Sequence, residues 1–269
     1  MSGLPVSASG RTALEVATEA AKEAGDIIVA RFHSQKQVVR KGRGNLLTDV
    51  DVLCDEAMVG IIRKEYPGHG ILSEESEGIT SDSGYLWIID PLDGTNNYAF
   101  GIPFFAVTIA LVRGEEILMG LTYDPLRREL FRAEGGGGAL LNDSPIAVSR
   151  RETVLTSLIG FDMGYDDEGG RQLLDMATAL WPRVHSLRVM GSAALGLAYV
   201  ACGRIDLYCH RWLYPWDIAS GILLVREAGG QLTDWGEQPV NFRSTALVAA
   251  NSALHREFMG LVGEAAGRR

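Results

Sequence analysis

Residues 85–105 read YLWIIDPLDGTNNYAFGIPFF, an apolar run that stops at two carboxylates followed by a glycine and a threonine. Tyr85 to Ile89 are aromatic and β-branched, the composition of a buried strand, and Pro91 is expected to stop that strand from continuing as a central one. The strand therefore delivers Asp90 and Asp93 to its carboxyl end. Gly94 permits a tight backbone there. Thr95, Asn96 and Asn97 are all good N-cap residues, so a short helix is expected to begin with free N–H groups, the arrangement that binds phosphate. Carboxylates beside a phosphate site repel the substrate unless a hard cation such as Mg²⁺ lies between them.

An ordinary Asx-type turn is the plain alternative for Asp, Pro, x, Asp, Gly. Spacing excludes two sharper readings. An EF-hand loop with Gly94 as its sixth residue needs an acid at position 89, where Ile89 stands. A phosphatase that forms an aspartyl-phosphate within Asp, x, Asp, Gly, Thr needs its nucleophile two residues before Asp93, where Pro91 stands. Water is then the expected nucleophile.

Upstream, Thr12 and Glu15 form a capping-box pattern ahead of a helix reaching Phe32. Residues 38–47, VVRKGRGNLL, read as a solvated basic loop or as a mobile lid over an anionic substrate. A second helix spans Thr48 to Tyr66, with Val52, Ala57, Met58, Ile61 and Ile62 expected inward; Asp49, Asp51 and Asp55 suit its dipole, and Asp51 is also open to a metal site. A strand from Gly70 to Leu72 runs into Ser73, Glu74, Glu75, and a neighbouring strand end can bring Glu74 beside Asp90 and Asp93.

Downstream, Phe104–Val112, Ile117–Tyr123 and Glu129–Arg132 have connections short enough for an antiparallel meander. Gly135 to Gly138 lack a P-loop ending and read as a hairpin connection, with another strand near Val148. Strand Leu155–Phe161, helix Gly170–Leu180 and strand Val184–Val189 then lead to a helix capped by Ser192; strand Asp206–Cys209 precedes a helix opening at Trp216, Asp217. Strands Gln231–Thr233 and Leu247–Ala250 and a helix from Leu254 close the chain. Residues 1–150 are expected to form an N-terminal half with the metal and phosphate motifs, and residues 151–269 an α/β half that completes the site within one compact unit.

At 269 residues the chain can bury a sizeable core, and a net charge of −9 argues against non-specific nucleic-acid binding. Cys54, Cys202 and Cys209 lack metal-ligand spacing and are read as buried small residues in a reducing compartment. The N-terminal MSGLPVSASGRT is not signal-like, and no apolar run is long enough to span a bilayer, so a cytoplasmic enzyme without a membrane partner is expected.

Three segments carry a resemblance: Ile71 to Glu75; Trp87 to Asn97; and Trp216 to Gly221 with Glu227 to Gly230. Together they resemble the inositol monophosphatase family, in order from about Thr12 to Val262. The resemblance implies an α/β fold (α+β by some schemes), a layered αβαβα sandwich of the inositol monophosphatase and fructose-1,6-bisphosphatase type. It implies lithium-sensitive, Mg²⁺-dependent hydrolysis of a phosphate monoester by a metal-activated water, and commonly a homodimer. Metal binding, by two to three ions, is carried to Glu74, Asp90, the Leu92 carbonyl, Asp93 and Asp217. Catalysis is carried to Thr95, Glu74 and Asp93, and phosphate binding to Gly94 and Thr95. Lys41 and Asp51 match a mobile loop and a third metal position. Gly191, Ser192 and Ala193 match the segment that touches the polyol, which Asp93 and Asp217 border.

Two residues depart from the pattern. His210 stands where many members have a glutamate that grips substrate hydroxyls, and Asn45 stands where the mobile loop often has an aspartate. His210 is read either as a substrate contact or as a structural histidine. Inositol 1-phosphate or a related polyol or sugar phosphate is the expected substrate. Histidinol phosphate, fructose 1,6-bisphosphate and 3′-phosphoadenosine 5′-phosphate are the alternatives on the same fold, and a non-catalytic metal- or phosphate-binding protein is the rival of another class.

Overall fold

The computed structural model describes residues 4–266; the first three residues of the N-terminal stretch lie outside it. Thr12 caps α1 (Ala13–Arg31) through the capping box with Glu15, and Thr48 caps α2 (Asp49–Glu65) in the same way through Asp51. Between these helices, the segment read as a loop is a two-stranded antiparallel ribbon, β1 (Val38–Gly42) and β2 (Asn45–Thr48). Its Val38 and Val39 are β-formers that the glycines and charges around them disguised, and Gly44 at φ +68° makes the turn. In α2 the inward face is Val50, Asp51, Cys54, Asp55, Met58 and Ile62; Val52, expected inward, is 40% exposed.

A seven-stranded sheet follows in simple order: β3 (Gly70–Ser73), β4 (Tyr85–Asp93), β5 (Ala106–Arg113), β6 (Glu116–Asp124), β7 (Glu129–Glu134), β8 (Ala139–Leu141) and β9 (Ser144–Pro145). All its pairings are antiparallel except β3 with β4. The short helix α3 (Thr95–Ala99) leaves the end of β4. The Gly135–Gly138 connection between β7 and β8 is held by the Glu227 carboxylate, which accepts from Gly136 N–H and Gly138 N–H at 2.8 Å each. No strand forms at Val148; its N–H donates to the Ala228 carbonyl instead.

The second sheet has the order β11-β10-β12-β14-β13, built from β10 (Leu158–Asp162), β11 (Ser186–Val189), β12 (Leu207–His210), β13 (Gln231–Thr233) and β14 (Leu247–Ala250). A turn of 3₁₀ helix at Val154–Thr156 takes the start expected of β10. The helices are α4 (Asp167–Leu180), α5 (Ala193–Ala201), α6 (Pro215–Glu227) and α7 (Ser252–Ala266).

Side-chain parity sorts these elements into layers. On β4, Trp87 and Ile89 pack with α1 and α2, while Ile88 packs with α5 and α6. On β12, Tyr208 joins the α5 and α6 core, while Leu207 and Cys209 face α4 and α7. The order is helix, sheet, helix, sheet, helix, with α5 and α6 sandwiched between the sheets. Cys54 and Cys209 are buried as expected, whereas Cys202 is only half-buried; all three are free thiols.

Candidate active site

Asp90 and Asp93 stand three residues apart, a spacing that puts side chains on opposite faces of a regular strand. A bulge corrects this. Asp90 pairs with Thr108 and Asp93 with Ala106, so three steps on β4 oppose two on β5 and the extra residue restores a common side. The strand runs through Pro91 to Asp93 but, as expected, no longer as a central one. Beyond Ile89, which pairs with Ser73 at the last rung of β3, that flank of β4 has no strand partner and a missing N–H costs nothing. Gly94 follows at φ +92°, and an added Cβ would lie 3.1 Å from both the Gly191 and Phe104 carbonyl oxygens, so the turn into α3 requires glycine.

Asp217 arrives from the first turn of α6. Carboxylate oxygens of Asp90, Asp93 and Asp217 lie within 4.8 Å of one another, which makes them the group of acids able to hold a metal ion among the described residues. Each acid has one oxygen pinned by a protein donor. Leu92 N–H donates to Asp90 Oδ1 at 3.0 Å, Tyr214 N–H to Asp217 Oδ2 at 2.7 Å, and Ser192 Oγ and Ala194 N–H both donate to Asp93 Oδ2, the latter at 3.1 Å. The second oxygens remain for another ligand.

Electrostatics points the same way. Burial, then the charges of Glu74, Asp93 and Asp217, hold the Asp90 carboxyl well above the ordinary range. Asp217 is held high by burial and by Asp93. Asp93 is pushed up to about 6 by burial, against the pull of Ser192 and the first amides of α5. Glu74 is pushed up to about 7 by burial and by Glu75, with Lys41 opposing. Three desolvated carboxylates with no cationic side chain among them are destabilised as anions, and a hard divalent ion with oxygen ligands is the chemical remedy.

A pH dependence of stability follows. A carboxyl whose folded pKa is raised stabilises the fold while protonated and loses that contribution as pH rises through its folded value. Metal-free protein should therefore lose thermal stability between about pH 4 and pH 7, the interval from ordinary carboxylates to the raised Glu74 value, and divalent ions should restore it at pH 8. Melting temperatures with and without chelator across that range check this; a flat profile with chelator would contradict it.

Glu74 follows β3, its N–H donating to the Ile89 carbonyl at 3.3 Å, and interacts with Asp90 and Asp93 without joining the tight triad. Lys41 reaches from the ribbon to Glu75 at 2.5 Å and Glu74 at 3.7 Å. Burial alone would depress its ammonium pKa, but these carboxylates raise it. Asp51 lies in the first turn of α2, outside that triad. Its Oδ2 accepts from Thr48 N–H, and its Oδ1 accepts from Thr95 Oγ1 at 2.8 Å. Thr95 Oγ1 also lies 3.0 Å from the Leu92 carbonyl. The Thr95–Asp51 pair went unread because forty-four residues separate them and the capping box accounts for Asp51 in isolation.

His210 ends β12 beside Asp162, its register partner on β10. Trp212 N–H donates to its Nδ1 at 2.9 Å, which fixes the ring proton on Nε2, and burial lowers its pKa to about 3. The imidazole is thus a neutral N–H donor. Tyr165, also unread from sequence, lies within electrostatic reach of Glu74, Asp217, Asp93 and Asp90, and a Cβ added at Gly44 of the ribbon turn would lie 3.8 Å from its ring.

The inositol monophosphatase family matches residues 10–266. The chain belongs to that family. Inositol monophosphatase 1 of Solanum lycopersicum is 38% identical over 257 residues, covering 91% of this chain and 93% of its own. The Nus factor SuhB of Xylella fastidiosa is 39% identical over 229 residues, covering 84% and 82%. The crystal structure of the extragenic suppressor protein suhB from Bartonella henselae superposes with a TM-score of 0.89 at 37% identity over 93% of this chain and 97% of that one. The Thermotoga maritima IMPase does so with 0.86 at 31%, covering 95% and 98%. The family is one of metal-dependent phosphomonoester hydrolases, and this member is such an enzyme.

Proposed function

We propose that the protein hydrolyses a small polyol or sugar phosphate, with inositol 1-phosphate as the leading candidate, in a Mg²⁺-dependent reaction. The observation that carries this reading is the convergence of Asp90, Asp93 and Asp217 beside Glu74 and the Thr95–Asp51 pair. Two to three Mg²⁺ ions, held by Asp90, Asp93, Asp217, Glu74 and the Leu92 carbonyl, would neutralise these acids, make water more acidic and stabilise charge on the attacking and leaving oxygens.

The chain's own groups supply the rest. Thr95 Oγ1 directs its hydrogen toward Asp51 Oδ1, so its lone pairs can accept a proton from the attacking water while its own proton moves to Asp51. Burial raises the Asp51 pKa, which makes it a better proton acceptor than an exposed aspartate. The N–H groups of Gly94 and Thr95 at the start of α3 face the phosphate. Glu74 helps orient the water, and Asp217 holds a second water that protonates the departing alkoxide. No phosphoenzyme forms. Ser192, Ala193 and His210 border the alcohol, with His210 donating through Nε2. The reading includes a homodimer, lithium sensitivity and a cytoplasmic setting, which three free thiols suit. No helix of the described residues is long and apolar enough to cross a membrane.

The test is release of inorganic phosphate from a substrate panel, with chelator and with Mg²⁺ restored. Inositol 1-phosphate should lead, and chelation should remove activity that Mg²⁺ returns. A preference for histidinol phosphate, fructose 1,6-bisphosphate or 3′-phosphoadenosine 5′-phosphate would overturn the substrate. No metal-dependent release from any member would favour a binding protein.

A further inference from the structure

The turn Met190–Gly191–Ser192 is held from both sheets. From the second sheet, Asp162 Oδ1 accepts from Met190 N–H at 2.9 Å and from Gly191 N–H at 2.5 Å, while Tyr208 O–H donates to Asp162 Oδ2 at 2.8 Å. From α3, which leaves the end of β4 in the first sheet, the Asn97 side-chain amide, two residues beyond Thr95, shares its two hydrogens among the carbonyls of Phe104 at 2.8 Å, Met190 at 3.0 Å and Gly191 at 3.2 Å. Aspartate takes the turn's N–H groups and asparagine its carbonyls. The turn is bound on both its donor and acceptor sides. Gly191 sits at φ +73°, and an added Cβ would fall 2.7 Å from the Asn97 amide nitrogen, so the amide lies against bare backbone.

What the turn delivers is the support of Asp93. Ser192 both caps α5, accepting from Leu195 N–H at 3.2 Å, and donates its hydroxyl to Asp93 Oδ2, which Ala194 N–H also reaches. These donors, on the last residue of the clamped turn and the first turn of α5, set the orientation of the Asp93 carboxylate, one oxygen of which lies within 4.8 Å of Asp90 and Asp217. Asp162 itself is buried, and its hydrogen bonds go to Met190, Gly191 and Tyr208 rather than to these acids. Sequence gives it no motif.

We propose that Asp162 is a positioning residue: with Asn97 it clamps the Met190–Ser192 turn, and through Ser192 and the first amides of α5 it aims Asp93 at the metal site. This rests on the proposed reading of that site. It adds that the geometry of a metal ligand on one sheet is set by a carboxylate on the other, and that the segment bordering the alcohol moves with it.

The experiment is calorimetric titration of Mg²⁺ into wild-type, Asp162→Ala, Asp162→Asn and Asn97→Ala proteins, each corrected for its folded fraction, with kcat and KM for inositol 1-phosphate alongside. Loss of an outer support of a metal ligand costs about 10- to 100-fold in metal affinity. Asp162→Ala should weaken Mg²⁺ binding by about that factor, lower kcat and raise KM together. Asp162→Asn keeps an oxygen to accept both N–H groups and should recover affinity to within about threefold of wild type. Asn97→Ala should weaken binding in the same direction, and it carries the test if Asp162→Ala does not fold. Folded Asp162→Ala with wild-type affinity and kcat would overturn the inference, as would an Asn variant as weak as the Ala one. Wild-type protein that binds Mg²⁺ yet releases no phosphate would instead overturn the proposed function and leave the affinity comparison standing.

Discussion

Asp93→Asn should fold, bind Mg²⁺ poorly and release phosphate at a rate lower by about 10³-fold or more. That corresponds to roughly 4 kcal/mol of lost transition-state stabilisation, the scale of removing a principal electrostatic group from an active site. The substitution is nearly isosteric. The amide oxygen of the variant can accept the Ser192 and Ala194 hydrogens that Asp93 Oδ2 accepts now, so the turn and the first amides of α5 keep their partners. Its amide NH₂ then faces Asp90 and Asp217, presenting donors where the wild type presents a lone pair and a charge. The two effects have opposite signs. Without metal, removing one of the mutually repelling charges that lift the Asp90 and Asp217 pKa values should raise the melting temperature at pH 8. With Mg²⁺, the variant should gain less stability than wild type because the linked binding is weaker. Phosphate release and paired melting curves with and without Mg²⁺ measure both. Activity within tenfold of wild type would remove Asp93 from the catalytic machinery.

How much of this site was legible beforehand depends on the range of the signal. Asp90 and Asp93 announce themselves because a β-forming run ends on them, and Ser192 because an N-cap must be a small polar residue ahead of an apolar helix. The bulge that turns both aspartates to one side is invisible in sequence, since it depends on the register with β5, whereas Pro91 correctly marks where β4 loses its partner on the β3 flank. The ribbon at 38–48 was lost because five of its exposed residues, Arg40 to Gly44, are charged or glycine while only its pairing makes it strand. Asp162, Tyr165 and the partnership of Asp51 with Thr95 share one cause. Their partners lie across the interior in other segments, and no local periodicity encodes a contact between β10 and the turn before α5, or between α2 and α3. Local chemistry exposed the residues that end elements, and left unread those whose role is defined by a distant partner.

Gly120→Ala should cost about 1–3 kcal/mol of stability, the usual penalty for forcing extra volume into a packed core, although it adds only one methyl group. Gly120 lies on β6 directly beneath α6, and an added Cβ would come within 2.8 Å of the Ser220 carbonyl oxygen and 2.9 Å of its Cα. Both are backbone atoms, so no side chain can rotate aside and the helix itself must lift. Thr122, two residues along the same face of β6, is linked to Ser220 by a 3.0 Å hydroxyl contact that fixes the helix at this height. Gly221 removes another route of escape. A Cβ there would already sit 2.4 Å from Leu197 Cδ1, which shows how closely α6 is pressed against α5 on its other flank. Since α6 carries Asp217 in its first turn, a lifted helix also shifts one of the three acids relative to Asp90 and Asp93 on β4. The variant should therefore show a lower melting temperature by several degrees and, in the fraction that remains folded, weaker Mg²⁺ binding. Gly120→Ser, with similar added volume, should behave alike, whereas Gly114→Asn, at a turn with φ +60° and open space around it, should leave metal affinity untouched. A Gly120→Ala protein as stable as wild type would mean that the sheet and α6 are not held at this separation in solution.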